Sequence, residues 1–154
     1  MSLDSARAGA GRPAFFCLIA ALILAAGCYS SNYDHEMTAN LQLVSDMCDK
    51  LADYCRRDFK IGDHVVSAEE MGEFYYVYNK ASAFSASTPR EASLNSHKDF
   101  NKMLAAYENF VHAADEYRLQ SKPDPAALAV LLSQCDQVKH IAGRVAQDLH
   151  TEAK

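Results

Sequence analysis

Between residues 37 and 55, Met37, Leu41, Val44, Cys48, Leu51 and Cys55 recur at steps of 4, 3, 4, 3 and 4. A helix of 3.6 residues per turn lines such a set along one face. The same rhythm returns twice. Phe100, Met103, Leu104, Tyr107, Phe110, Val111, Ala114 and Tyr117 mark one later stretch, and Leu128, Leu131, Cys135, Val138, Ala142, Val145 and Leu149 mark another. Between them, Met71, Phe74, Tyr75, Tyr78 and Ala81 make a fourth inner face. No strand pattern and no internal repeat stands beside these stripes.

The helix ends are written in the punctuation. The first helix is expected over 36–60, broken by Gly62-Asp63. The second spans 68–86 and opens with Ser67 and Glu70, a capping-box pair in which each side chain satisfies a free backbone N–H. Its last turns are thin, made of Ser82, Ala83, Ser85, Ala86 and Ser87, and it stops before Pro89. The third has two possible starts, Thr88-Pro89 and Ser96 with Asp99, and its firm part is 97–119, leaving 88–96 as loop or turn. The fourth runs from Asp124-Pro125 to about 150. Short links between long helices make consecutive neighbours antiparallel. The expected fold is all-α, an up-down-up-down four-helix bundle over residues 36–154. The 3.5-residue period of the stripes implies left-handed packing at about 20°.

Composition agrees with one globular domain. Of 154 residues, 49% are apolar; there are 6 Gly, 4 Pro and no Trp, which speaks against an all-β or collagen-like chain. The formal charge of −5 speaks against a nucleic-acid partner, which calls for a basic patch or stripe.

The N-terminus has a different character. Arg7 and Arg12 stand against Asp4, and residues 14–26 (AFFCLIAALILAA) are then continuously apolar. That run has 13 residues, fewer than the roughly 18–20 of a membrane-spanning helix. Positive start, short apolar middle and small closing residues describe a secretory signal peptide. The run closes on Leu24-Ala25-Ala26-Gly27-Cys28. This resembles the lipobox of bacterial lipoprotein precursors. In that family the Cys thiol is joined to diacylglycerol, the chain is cut before it, and the new N-terminus is acylated. The resemblance implies a signal peptide over 1–27, cleavage after Gly27 and a lipid, palmitate among its acyl chains, on Cys28. Residues 28–35 are expected as a tether, with the start of the first helix near a membrane. The residue after Cys28 is Tyr29 rather than the Asp of inner-membrane retention, which leans towards the outer membrane.

After cleavage four cysteines remain, and Cys28 is assigned to lipid. Cys48 and Cys55 lie seven residues apart, about 10.5 Å along a helix, too far to bridge each other. Cys135 is placed to pair with Cys48 or with Cys55, and the alternative is three small buried apolar residues. No Cys/His spacing points to a metal.

A second resemblance is to the exported four-helix-bundle b-type cytochromes. These hold haem b with a Met near the start of the first helix and a His near the end of the last. Met37 and His140 occupy comparable places, Arg144 follows His140 at the family's spacing, and Asp99-Phe100 opens the third helix similarly. The related c-type bundles attach haem through C-x-x-C-H, and here that stretch reads Asp136-Gln137-Val138-Lys139-His140, without either thiol. His140 is rotated about 200° from Val138, which turns it to the outer face beside Asp136. On the third helix His112 reads as an outer-face partner of Glu108. The haem and the disulfide also compete, because the two pairings need registers six residues, about 9 Å, apart.

No catalytic motif appears among the residues: no G-x-S-x-G, H-E-x-x-H, phosphate-binding or dinucleotide-binding glycine pattern. The expectation is a lipid-anchored, periplasm-facing envelope lipoprotein. It would be a non-enzymatic structural or accessory bundle whose partners are the membrane and another envelope protein, with no cofactor. The alternatives are a haem-binding electron carrier and a metal- or small-ligand-binding envelope protein. A cavity is sought at the thin end of the second helix beside Phe100. Tyr76, opposite its helix's inner face, marks a candidate partner surface.

Overall fold

The computed structural model describes the backbone of residues 12–120 and 124–152, and side chains from residue 32 onward. Four helices carry the chain: α1 (Arg12–Arg56), α2 (Ala68–Ser87), α3 (Asn95–Arg118) and α4 (Pro125–Glu152). The chain divides into two compact units, residues 1–35 and 36–154, and the second is the bundle. Among the described residues no helix is long and apolar enough to cross a membrane. The expected signal peptide 1–27, its cleavage site and the Cys28 side chain lie outside the fully described residues. Residues 28–35, expected as a tether, are helical backbone of α1. The reason is local: no Gly or Pro interrupts the chain between Cys28 and Ile61.

Side-chain bridges define the bundle. Lys50 on α1 pairs with Glu73 on α2 at 2.7 Å and lies over the rings of Tyr54 and Phe74. Phe84 on α2 meets Phe100 on α3 edge-on at 5.9 Å. Arg144 on α4 reaches Asp99 on α3 at 3.5 Å, and Lys139 on α4 pairs with Asp49 on α1 at 2.8 Å. Each partner pairing runs antiparallel, so the helices close in the order α1-α2-α3-α4 as an up-down-up-down bundle.

The stripes of α1 and α3 are buried at every position that the spacing selects, and that of α4 from Leu131 to Leu149, with Leu128 half-buried. On α2 the inner face is Met71, Phe74, Val77, Ala81, Phe84 and Ser85. Tyr75 and Tyr78, expected inside, are half-buried, because each carries a hydroxyl that seeks polar company at the rim. The Tyr75 hydroxyl meets His112 Nδ1 at 3.2 Å, so His112 partners α2 across the bundle instead of Glu108 on its own helix.

The first helix ends at Arg56 instead of 60, in a Schellman motif. The Phe59 N–H donates to the Tyr54 carbonyl at 2.8 Å and the Asp58 N–H to the Cys55 carbonyl at 3.1 Å. Asp58 and Phe59 are both left-handed, with φ of 49° and 56°. Phe59 is buried and packs edge-on against Tyr54 at 6.5 Å, the apolar contact that accompanies this cap. A short hairpin follows, β1 (Lys60–Ile61) and β2 (His64–Val65), where no strand was expected. Gly62 takes φ +62° at the first of its two turn residues, as a tight hairpin turn requires. Val66 then returns to the core, its N–H donating to the Phe59 carbonyl at 2.9 Å.

At the opposite end, a turn of 3-10 helix (Pro89–Glu91) occupies the segment expected as loop or turn. The N-cap of α3 is Leu94, whose side chain makes no cap, and the Ser96–Asp99 box is not used. Glu152, from the far end of α4, accepts the Asn95 N–H at 2.7 Å instead. A carboxylate there also complements the positive end of the helix dipole.

Candidate functional site

Two buried thiols approach each other in the core of the bundle. Cys48 on α1 and Cys135 on α4 place their Sγ atoms 2.8 Å apart. Each sulfur also faces the other's backbone: Cys48 Sγ is 3.7 Å from the Cys135 carbonyl oxygen, and Cys135 Sγ is 3.5 Å from that of Cys48. Both residues are buried, at 0% and 3% exposure. The neighbouring Cys135 and burial together push the Cys48 thiol up, while the contact with Cys48 pulls that of Cys135 down. Of the two pairings open to Cys135 from its sequence, the structure brings together the one with Cys48. Cys55 is fully buried two turns further along α1, and burial pushes its thiol up to about 12. A thiol held neutral in this way is a weak nucleophile.

The same register places Met37 and His140. Met37 lies eleven residues before Cys48, level with Ala146, eleven after Cys135. His140 is six residues short of that level, about 9 Å along the axis. Met37 is fully buried in the core and His140 is exposed on the outer face of α4. The structure therefore does not bring these two residues to a common site.

A polar cluster, invisible in the helix stripes, joins the thin end of α2 to the start of α3. His97 is 4% exposed, and its Nε2 lies 3.2 Å from the Ser85 hydroxyl. That hydroxyl donates to Asn101 Oδ1 at 2.5 Å. Having spent its one proton there, Ser85 accepts from His97, whose Nε2 carries hydrogen. A serine nucleophile needs the reverse arrangement, with its proton aimed at a basic imidazole nitrogen. Desolvation by burial lowers the His97 pKa from its ordinary value, and the nearby Glu91 opposes that shift. The arrangement is a part-buried polar lock between α2 and α3, with Asn101 at its exposed edge. Serine at the end of a helix carries no signal of this on its own; the partners stand 12 and 16 residues away.

Beside Phe100, where a cavity was expected, Phe84 stands edge-on against the ring at 5.9 Å. A shallow cleft of about 290 Å³ opens on the other side of Phe84, between α1 and α2, lined by Glu36, Asn40 and Lys80 with Ala39 and Leu43. Its volume is at the foot of the ~300–1,000 Å³ range of small-molecule sites.

The end of the bundle that carries the hairpin exposes several apolar side chains among charged ones such as Arg57, Lys60 and Asp63. Ile61 and Val65 on the hairpin, Leu119 after α3 and Val130 on α4 are all open to solvent, and Leu119 reaches 70%. Tyr117 and Arg118 hold the end of α3 against this hairpin: the Tyr117 hydroxyl donates to Asp58 Oδ1 and Arg118 Nη1 to the Val66 carbonyl, each at 3.5 Å. Tyr76, the residue expected to face outward from α2, is 66% exposed.

The capping box at the start of α2 is complete. Ser67 Oγ accepts the Glu70 N–H, and Glu70 Oε2 accepts the Ser67 N–H at 2.7 Å and meets His64 Nε2 at 2.8 Å. The Ser67 N–H foremost, then His64, pull the Glu70 carboxyl down to about 2. A depressed folded-state pKa means stability that is present above the ordinary value of 4.5 and is lost as pH falls towards about 2. Glu70→Gln is therefore expected to melt below the native protein at about pH 5, with the gap closing as the pH is lowered through that window. Thermal melts at stepped pH measure it. A gap that stays constant would show that the charge of Glu70 contributes nothing to the cap.

No protein family, curated protein or solved structure matches this chain.

Proposed function

We propose that this chain is the precursor of a small lipid-anchored lipoprotein of the bacterial cell envelope, a non-enzymatic bundle that works by contacting another envelope protein. The observation that carries the reading is the stretch Leu24-Ala25-Ala26-Gly27-Cys28 at the end of a 13-residue apolar run. It resembles a lipobox in composition, order and position. In this reading Cys28 bears the lipid and becomes the first residue, and the bundle stands outside the inner membrane. The Tyr29 position leans towards the outer membrane.

A binding role is supported by what the bundle exposes and encloses. Its stripes are spent on packing, and its buried His97 is satisfied by Ser85. Among the described residues Ile61, Val65, Leu119 and Val130 expose apolar side chains towards the hairpin end and Tyr76 does so on α2, and these are the positions this reading assigns to a partner. The haem alternative draws no support from the placement of Met37 and His140. The ligand-binding alternative rests on the small cleft beside Lys80 and Glu36.

The test is site-specific photo-crosslinking in intact cells, with the reactive residue at Val65 or Leu119 and, as a control, at exposed Lys98 at the other end of the bundle. The expected result is one dominant protein adduct from Val65 and Leu119 and none from Lys98. Equal adducts at all three sites, or none at any, would remove the partner-binding reading.

A further inference from the structure

We infer that Cys48 and Cys135 are joined in the exported protein by a disulfide that staples α1 to α4. The inference rests on the export reading, since a structural disulfide persists in an oxidising compartment and is rare where thiols are kept reduced.

The geometry singles out this pair. Two sulfurs at 2.8 Å are well inside the ~3.5–4.0 Å of ordinary non-bonded contact between heavy atoms. Their backbones are close enough for each sulfur to lie against the other residue's carbonyl oxygen. No partner is left for Cys55, which sits two turns away towards the hairpin and faces the level of Leu128. The four cysteines of the processed chain then divide cleanly: Cys28 to lipid, Cys48 and Cys135 to each other, and Cys55 to the apolar core as a free thiol.

The position of the link matters to the fold. α1 and α4 are the first and last helices of the bundle, and the bond closes a loop across 87 residues of sequence separation. Cross-linking so distant a pair removes much of the freedom of the unfolded chain. It also fixes the contact that closes the ring of helices, where no connecting loop holds the neighbours together.

The chemistry balances as a thiol–disulfide exchange. The oxidant is the disulfide of a dithiol oxidase in the compartment that receives the exported chain. One thiolate of the pair attacks that disulfide, forming a mixed disulfide and releasing one oxidase thiol. The second thiolate displaces the oxidase, forming the Cys48–Cys135 bond and leaving the oxidase as a dithiol. Two hydrogen atoms pass from this chain to the oxidase. Both sulfurs are buried in the folded bundle, so the exchange takes place before α1 and α4 close, and the finished bond is shielded from reductant.

The experiment uses the wild-type protein from its native membranes, unfolded without reductant, alkylated and digested. The expected result is alkylation of Cys55 alone, a peptide pair linking Cys48 to Cys135, and two further alkylated thiols after reduction. Protein unfolded, reduced and refolded with its thiols kept reduced is expected to melt roughly 10 °C below the linked form. Cys55→Ser should leave the linked peptide in place. Alkylation of Cys48, Cys55 and Cys135 together, or a Cys55–Cys135 link, would overturn the inference. The peptide that begins at Cys28 reports acylation separately. An acylated peptide beside three free thiols rejects the disulfide and keeps the anchor, while an unacylated one beside the linked pair rejects the anchor and keeps the disulfide.

Discussion

Cys28→Ala is expected to abolish fatty-acyl labelling of the protein and to leave the chain at its precursor length. In the lipoprotein pattern the thiol of that Cys is the acceptor of diacylglycerol, and cutting follows lipid transfer. Alanine has no nucleophile to offer, so both steps fail together. Membrane anchoring is lost with them, because each buried CH₂ of an acyl chain contributes about 0.8 kcal/mol and two or three chains hold far beyond the marginal grip of one. What remains at the N-terminus of the variant is an apolar run of 13 residues, short of the roughly 18–20 that span a bilayer. The check is labelled palmitate fed to cells that make the wild-type or the variant protein, read beside the size of each product. Label or processing that survives in the variant would place the modification on another residue.

Phe59→Ala is expected to cost about 3–5 kcal/mol, a large share of the ~5–15 kcal/mol that a domain of this size holds in reserve. Phe59 is buried to 1% exposure, stands between Tyr54 and Tyr117, and does so from a left-handed backbone position. That backbone costs an L-residue roughly 1–2 kcal/mol. In the native protein the buried ring offsets it; in the variant the strain stays and the packing goes. The Val66 side chain loses the element that it closes against, and the hairpin loses its hold on the end of α3. Urea titration should show a lower midpoint with the slope little changed. Leu119→Ala, at a position 70% exposed, is expected to stay within about 0.5 kcal/mol of wild type. A loss below about 1 kcal/mol for Phe59→Ala would mean that the hairpin end is not what closes the core.

The bundle was readable from residue spacing where side chains are wholly apolar. Leu41, Val44 and Leu51 have nothing to gain from the rim, so their period reports the core directly. The face of α2 was harder to place because Tyr75 and Tyr78 are amphipathic: ring and hydroxyl want different surroundings, and Val77 takes the inner position. The hairpin could not be foreseen, since two-residue strands have no period and nothing in Asp58-Phe59 announces two left-handed residues. Capping split along the same line. Ser67 with Glu70 is a local motif and was legible; Glu152 caps α3 from 57 residues away and was not.

The candidate site follows the same division. Spacing alone excludes a bond between Cys48 and Cys55, because both residues lie on one helix about 10.5 Å apart along its axis. It could not choose the partner of Cys135, because that depends on the axial register of α1 against α4. That register depends on how the buried stripes of the two helices interlock, which no local pattern encodes, and Lys139 with Asp49 is compatible with it at the surface. The Ser85–His97–Asn101 lock is illegible in the sequence for a similar reason, since it forms only once α2 and α3 lie antiparallel.

The central claim, a processed and lipid-anchored bundle, is tested most directly by the intact mass of the protein extracted in detergent from its native membranes. The predicted spectrum is a chain that begins at Cys28 and carries diacylglycerol and an added acyl group. A chain that retains residues 1–27, or one that begins at Cys28 with no acyl mass, would contradict it.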